Sequence, residues 1–282
     1  MSIRKNFEGK SVLITGGGTG IGKAAALEFA REGASVLITG RREEKLDEAV
    51  REAALEGLRI RFAVSDVSRE EDCRGAVELA VREMRGLDIL FNNAGVLIPG
   101  PMHETTAAAW EATFGVNVRG TWLMSKFAIP HMLERGCGWI VNNASIVGLK
   151  GFAGLSAYTA SKGAVIQLTR SMALEYSAQG INVNAVCPGT TVTPLLTEGF
   201  MKRVPDPDEG LRFMESLHPM GRLALPEEVA RAVLFLCDER AGFITGAALP
   251  VDGGWCARYK QVGTRRPSFI LVERTHKYRR PL

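Results

Sequence analysis

Short apolar runs alternate with longer amphipathic stretches along this chain. Ser11–Thr15, Ser35–Thr39, Arg59–Val64, Leu87–Phe91, Gly138–Asn143 and Ile181–Val186 read as strands. Several are apolar at successive positions, Val12-Leu13-Ile14 among them, where a half-exposed strand would alternate. Such runs suit strands covered on both faces of a parallel sheet. Between them the periodicity predicts helices at about 20–32, 43–56, 69–85, 106–134, 155–178 and 225–239. Ser68 with Glu71 three residues on reads as a capping box for the third helix. Pro226, followed by Glu227 and Glu228, suits the first turn of the last one. Alternation this regular predicts an α/β fold, a doubly wound parallel sheet of Rossmann-like type with right-handed crossovers.

No linker or internal repeat divides the chain before residue 255. The expectation is one domain over residues 1–255 and a basic C-terminal tail over 256–282. Residues 190–220 are irregular and carry Pro194, Pro205, Pro207 and Pro219, with room for a short helix. A long irregular segment in a compact domain usually serves as a lid or binding loop.

Composition narrows the class of function. The chain has 282 residues, 46% hydrophobic and 23% charged, as an ordinary globular protein does. Its longest apolar runs, such as Ala232–Cys237, are too short to span a bilayer. Met1–Lys10 lacks the apolar core of a signal peptide. The five cysteines have no C-x-x-C spacing and the four histidines stand apart, which argues against a disulfide framework and a metal site. A cytoplasmic, metal-free protein is expected. The net charge of +4 is unevenly spread: residues 256–282 hold eight Lys/Arg against one acid, Glu273, so the tail carries +7 and the body −3. A mildly acidic body is not a nucleic-acid-binding fold, and no specific nucleic-acid or membrane partner is expected.

The chemistry-bearing residues share one position in the pattern. Strand one runs into Thr15-Gly16-Gly17-Gly18-Thr19-Gly20-Ile21-Gly22, and a helix follows. Glycines there allow positive φ and let a pyrophosphate approach the backbone N–H groups at the helix N-terminus; the competing reading is a tight connection. Arg41-Arg42 follow strand two, Asp66 and Val67 strand three, Asn93-Ala94-Gly95 strand four, Ser145 strand five and Pro188-Gly189 strand six. Ligands of open parallel sheets bind beyond the C-terminal strand ends, so all these residues face one edge. Tyr158 and Lys162 lie about 6 Å apart along a helix axis and on one face, where a solvated surface pair is the alternative. Asn117 sits mid-helix among Phe114, Val116 and Val118, and an ordinary solvated asparagine is the competing reading.

Together these residues resemble the short-chain dehydrogenase/reductase family in its common single-domain form. The likeness runs from about Gly9 to Trp255, through TGGGTGIG, NNAG, FGVNVRG, YTASK, PG, HPMGRLALPEEVA and the closing TGAALPVDGGW. The resemblance implies a catalytic tetrad of Asn117, Ser145, Tyr158 and Lys162. It implies that Lys162 also binds the nicotinamide ribose and that Asn117 holds a water linking Lys162 to solvent. The backbone around Thr191 and the Thr193 hydroxyl would hold the carboxamide. The reaction implied is hydride transfer between a nicotinamide dinucleotide and an alcohol or ketone, in a homotetramer; the alternative is a catalytically silent dinucleotide-binding regulator or scaffold. Asn143 stands where the family often has a smaller or apolar residue, Thr191 replaces an aliphatic one, and the tail is extra.

The chemistry is intelligible from the residues. Ketone reduction needs a proton on oxygen, and Tyr158 is the candidate donor. Its phenol ordinarily titrates near pH ~10, and a Lys162 ammonium ~5 Å away, at an effective dielectric of ~20, would favour phenolate by about 3 kcal/mol, or roughly two pKa units. Ser145 would hold the substrate oxygen. Val96, Leu97, Val147, Phe152, Leu195, Leu196 and Phe200 are apolar pocket candidates, pointing to a neutral alcohol or ketone. NAD-preferring folds carry an acid at the end of strand two. Here Gly40, Arg41 and Arg42 stand there, so NADP(H) is expected in preference to NAD(H): glycine leaves room and a guanidinium grips a 2′-phosphate. The competing reading has the arginines merely opening a solvated helix.

Overall fold

The computed structural model describes residues 6–203 and 205–258. Seven strands form one parallel sheet: β1 (Ser11–Thr15), β2 (Ser35–Gly40), β3 (Ile60–Val64), β4 (Ile89–Asn92), β5 (Gly138–Asn143), β6 (Ile181–Pro188) and β7 (Ala248–Val251). Their order is β3-β2-β1-β4-β5-β6-β7. The winding reverses between β1 and β4, where a crevice opens at the strands' C-terminal ends.

Both faces of the sheet are covered, which accounts for the unbroken apolar runs. On one face Val12, Ile14, Val36 and Ile38 pack with Phe29 of α1 (Gly20–Arg31), Ala49 of α2 (Glu43–Leu55), and Val229 and Val233 of α8 (Pro226–Leu236). On the other, Leu13, Leu37 and Leu90 meet Val77 of α3 (Glu70–Met84), Leu123 and Met132 of α5 (Thr121–Arg135), and Met172 of α6 (Ser156–Tyr176). Burying each such side chain contributes roughly 1.5–3 kcal/mol, so the central strands are the stable part of the fold.

The structure departs from the sequence reading at three places. The single helix expected over 106–134 is α4 (Ala107–Phe114), a wide π-turn over Gly115–Gly120, and α5. Gly120 crosses the loop after β3 so closely that an added Cβ would lie 2.8 Å from Val67 Cγ2. The capping box expected at Ser68 does not form. Arg69 is the N-cap, and the Ser68 hydroxyl donates instead to Asp66 Oδ1 at 2.8 Å. Strand β7 was not expected; among the described residues it pairs only with β6, so at this sheet edge Pro250 breaks no ladder. The short helix for which the irregular stretch left room is α7 (Pro207–Leu217), whose N-cap Asp206 accepts a hydrogen bond from Glu209 N–H at 3.0 Å.

Cys256–Arg258, assigned to the tail, dock onto the body. The Asp252 carboxylate accepts from Cys256 N–H at 2.7 Å, and Arg258 Nη1 donates to Ser216 O at 2.6 Å. The rest of the expected tail lies outside the described residues. No helix among the described residues is long and apolar enough to cross a membrane.

Candidate active site

A cleft runs along the C-terminal ends of the strands. Its floor is the glycine loop. Gly16 and Gly20 have φ of +65° and +54°, which an L side chain rarely adopts. At Gly18 a Cβ would come within 3.0 Å of the Lys45 backbone. Thr19 N-caps α1 without a side-chain hydrogen bond, and the first turn holds no acid. The helix therefore presents uncapped N–H groups to the cleft, the arrangement that binds a phosphate. A pyrophosphate fits this cradle on its shape and its donors alike.

Gly22 has a packing part of its own. It does not line the cleft. A Cβ there would lie 2.3 Å from Gly16 O and 2.4 Å from Asn93 Nδ2, so its bareness lets α1 pack against the loop. The other residues expected to contact the cofactor all line the cleft: Gly16, Gly18, Thr19, Gly20, Ile21, Arg41, Arg42, Asp66, Val67, Asn93, Ala94, Gly95, Tyr158, Lys162, Pro188, Gly189, Thr191 and Thr193.

Several of them are fixed by other parts of the chain. Asn93 donates from Nδ2 to Thr15 O and Gly16 O, each at 3.0 Å, which ties β4 to the glycine loop. Asp66 Oδ1 accepts from the Ser68 N–H and hydroxyl, while Arg41 Nη1 stands 4.0 Å from Oδ2. Burial would raise that carboxyl, but the Ser68 bonds and the Arg41 and Arg69 charges hold it below its ordinary value. After β6, Thr191 is stapled to Ala224 by a bridge, with Val192 N–H donating to Ala224 O and Ala224 N–H to Thr190 O. His218 accepts from Thr190 N–H at Nε2 (3.0 Å), and Nδ1 lies 2.8 Å from Met214 O. Two nitrogens with these partners define a neutral ring protonated at Nδ1.

The four residues expected to be catalytic converge from separate elements. Ser145 follows β5 and accepts from Val147 N–H at 3.3 Å. Tyr158 and Lys162 lie on one face of α6, both buried and both lining the cleft. Asn117 stands in the π-turn behind them. Its Oδ1 accepts from Val96 N–H at 2.8 Å, and its Nδ2 donates to Val96 O and Ser161 Oγ, each at 3.0 Å. It is therefore buried and fully partnered, not solvated. Its role as a side chain is to fix the loop after β4 to α6.

The electrostatics correct one expectation. Lys162 was expected to draw the Tyr158 phenol downwards. In the protein alone, burial wins and raises Tyr158 to about 12, with a hydrogen bond to Ser145 opposing it. The same burial lowers Lys162 to about 8. A lysine that is itself losing charge, and whose Nζ donates to Asn143 O at 2.6 Å, exerts less pull than a bare ammonium.

Beyond Ser145 the cleft is apolar. Val96, Leu97, Val147, Phe152, Leu195, Leu196 and Phe200 line it as expected. Leu155, Met214 and Trp255 join them without having been foreseen. Trp255 reaches the site from beyond β7 and meets Phe152 edge-on, ring centres 5.9 Å apart. Among the described residues the charged lining groups other than Lys162 are Arg41, Arg42, Lys45 and Asp66, all at the nucleotide end.

A family model described as enoyl-(acyl carrier protein) reductase matches residues 16–256. The chain is 45% identical to an uncharacterized oxidoreductase of Thermotoga maritima, over 88% of this chain and 98% of that one. It is 40% identical to the meso-2,3-butanediol dehydrogenase of Serratia marcescens, over 88% and 95%. The cis-4-hydroxycyclohexanecarboxylate dehydrogenase of Sinomonas cyclohexanicum is also 40% identical, over 89% and 98%. The crystal structure of levodione reductase superposes with a TM-score of 0.87 at 33% identity, covering 90% of this chain and 100% of that one.

Proposed function

Because the chain belongs to the short-chain dehydrogenase/reductase family, we propose that it transfers hydride between NADP(H), in preference to NAD(H), and a neutral, largely apolar alcohol or ketone. The observation that carries this reading is the meeting of Ser145, Tyr158 and Lys162 in one cleft with the glycine loop. A bound nicotinamide dinucleotide supplies or accepts the hydride. The chain's own residues manage the proton and the geometry. Tyr158 Oη gives its proton to the substrate oxygen in reduction and receives it in oxidation. Burial keeps the phenol protonated but makes it a weaker acid, so proton transfer in either direction relies on positive charge beside it, such as the Lys162 ammonium. Ser145 Oγ holds the substrate oxygen beside the phenol. Lys162 Nζ binds the ribose and returns the proton to Tyr158. Asn117, its side chain spent on Val96 and Ser161, has its main-chain carbonyl to hold a water leading to solvent on the lone pair that the Thr121 hydroxyl does not use.

The uncharged far end of the cleft supports a neutral substrate, as does the butanediol in the Serratia relative's name; the Sinomonas relative is named for a hydroxycarboxylate, an alcohol that carries charge. Gly40, Arg41 and Arg42 at the end of β2 support the choice of NADP(H). Exposed Trp122 and Leu133 on α5 support a homotetramer paired across that helix. A cytoplasmic location is in keeping with five unpaired cysteines. A turnover assay across cyclic and acyclic secondary alcohols and ketones, with both cofactors, tests the reading. Nucleotide binding with no turnover of any of them would favour the regulator or scaffold instead.

A further inference from the structure

Asn143 ends β5 and lines the cleft. Its main-chain oxygen accepts the Lys162 ammonium at 2.6 Å, and its Nδ2 donates to Asn93 Oδ1 at 2.9 Å. Asn93 in turn donates to Thr15 O and Gly16 O. These two bonds fix which end of the Asn93 amide faces Asn143, and hence which end of Asn143 faces back. Among the described residues, Asn143 Oδ1 is then left buried without a hydrogen-bond partner. Buried polar atoms are rarely unpaired, and an aliphatic side chain at this strand end would carry no such cost. The amide is therefore not there for stability.

What it does provide is continuity. Lys162, Asn143, Asn93 and Gly16 form one hydrogen-bonded line from the helix that carries the reacting groups to the loop that cradles phosphate. Lys162 uses one of its three ammonium donors on the protein, so the Asn143 carbonyl sets where the ammonium sits. We propose that Asn143 is a positioning residue that holds Lys162 in register with the glycine loop, so that the nucleotide's phosphate and ribose ends meet groups already spaced for them. The proposal rests on the dehydrogenase reading of the same cleft. It works through geometry: displacing a reacting group by about 1 Å costs on the order of a hundredfold in rate.

The test uses the full chain and two variants, Asn143→Val, which fits a strand end, and Asn143→Ala, which cannot overpack. Fluorescence quenching gives the dissociation constant for each nucleotide without any substrate, so this readout survives if the substrate class is wrong. We expect both variants to keep the wild-type melting temperature within a few degrees. They should weaken nucleotide binding about fivefold and lower kcat about tenfold, leaving KM for the alcohol or ketone within about twofold. In the cycle with Asn93→Ala, the double variant should bind nucleotide no worse than the weaker single variant, since one line is broken once. Unchanged nucleotide affinity and kcat in a folded Asn143 variant would overturn the proposal. So would additive losses in the cycle, or a lower melting temperature with full specific activity, which would mark a merely structural amide.

Discussion

Lys162 Nζ lies 5.6 Å from the centre of the Tyr158 ring, and the burial they share drives the two towards neutrality from opposite sides. The tyrosine keeps its proton to about 12, and the lysine gives its own up near 8. If the phenol hydroxyl moves the proton, Tyr158→Phe abolishes turnover while nucleotide affinity stays within a few fold, because the ring still packs. If Lys162 also binds the ribose, Lys162→Ala loses both. Steady-state rates and a nucleotide titration check this. Residual activity of about a tenth in the phenylalanine variant would remove Tyr158 from its assigned role.

The buried lysine also has a stability signature. Its folded-state pKa of about 8 lies below its ordinary value of 10.5. Between those values the unfolded chain binds more protons, so stability rises with pH across that window and is lost as pH falls through 8. The whole shift corresponds to at most roughly 3 kcal/mol. Lys162→Met should therefore be more stable than wild type at pH 7, with the gap closing by pH 10. Urea denaturation of both proteins at the two pH values measures it. A constant gap would mean that the ammonium is not destabilised by burial.

Cofactor choice can be tested cleanly at Gly40. A Cβ there would meet nothing nearer than Leu46 Cδ2 at 3.5 Å, so Gly40→Asp introduces charge without a clash. A phosphate contact of ~2 kcal/mol amounts to roughly thirtyfold in preference. The wild type should favour NADP(H) in kcat/KM by about that factor, and Gly40→Asp/Arg41→Ala should reverse it. A wild type that favours NAD(H) about tenfold would reassign the arginines to the solvated start of α2.

The assembly is the fourth prediction. Trp122 on α5 remains 44% exposed and Trp110 on α4 37%, although Trp110 stacks on Phe114 at 4.5 Å. Surfaces of this kind are expected to pair about a two-fold axis. Sedimentation at micromolar concentration should give a tetramer or, failing that, a dimer, and a monomeric mass would refute it.

Much of this was legible in the sequence because two periods differ. Strands covered on both faces are apolar throughout, helices repeat at three and four, and the loops between them fall on one edge by topology. The glycine loop was legible because positive φ at Gly16 and Gly20 leaves few other residues possible. Gly22 stays ambiguous for the same reason: contact with a ligand and contact with Gly16 O both demand a missing Cβ, and sequence does not distinguish them. Strand β7 was obscured by Pro250, which is harmless only at an edge. Helix α7 was allowed for in the irregular stretch but not bounded, although Asp206-Pro207 with Glu209 is a readable start. Trp255 and Met214 were out of reach, because they join the site only when distant segments meet. Asn117 was legible as a residue but not as a clamp, since Val96 and Ser161 come to it from different elements.

The uncharged end of the cleft has a consequence for selectivity. An apolar wall recognises a molecule by the methylenes it shelters, and one methylene more or less changes transition-state binding by only about 1–3 kcal/mol, roughly 10- to 200-fold in rate. Leu97, Phe152, Leu196, Phe200 and Trp255 offer no carboxylate clamp and no charged partner that a close homologue would leave stranded. The protein should therefore accept a graded series of related alcohols, with rates falling smoothly as the carbon skeleton departs from the best fit.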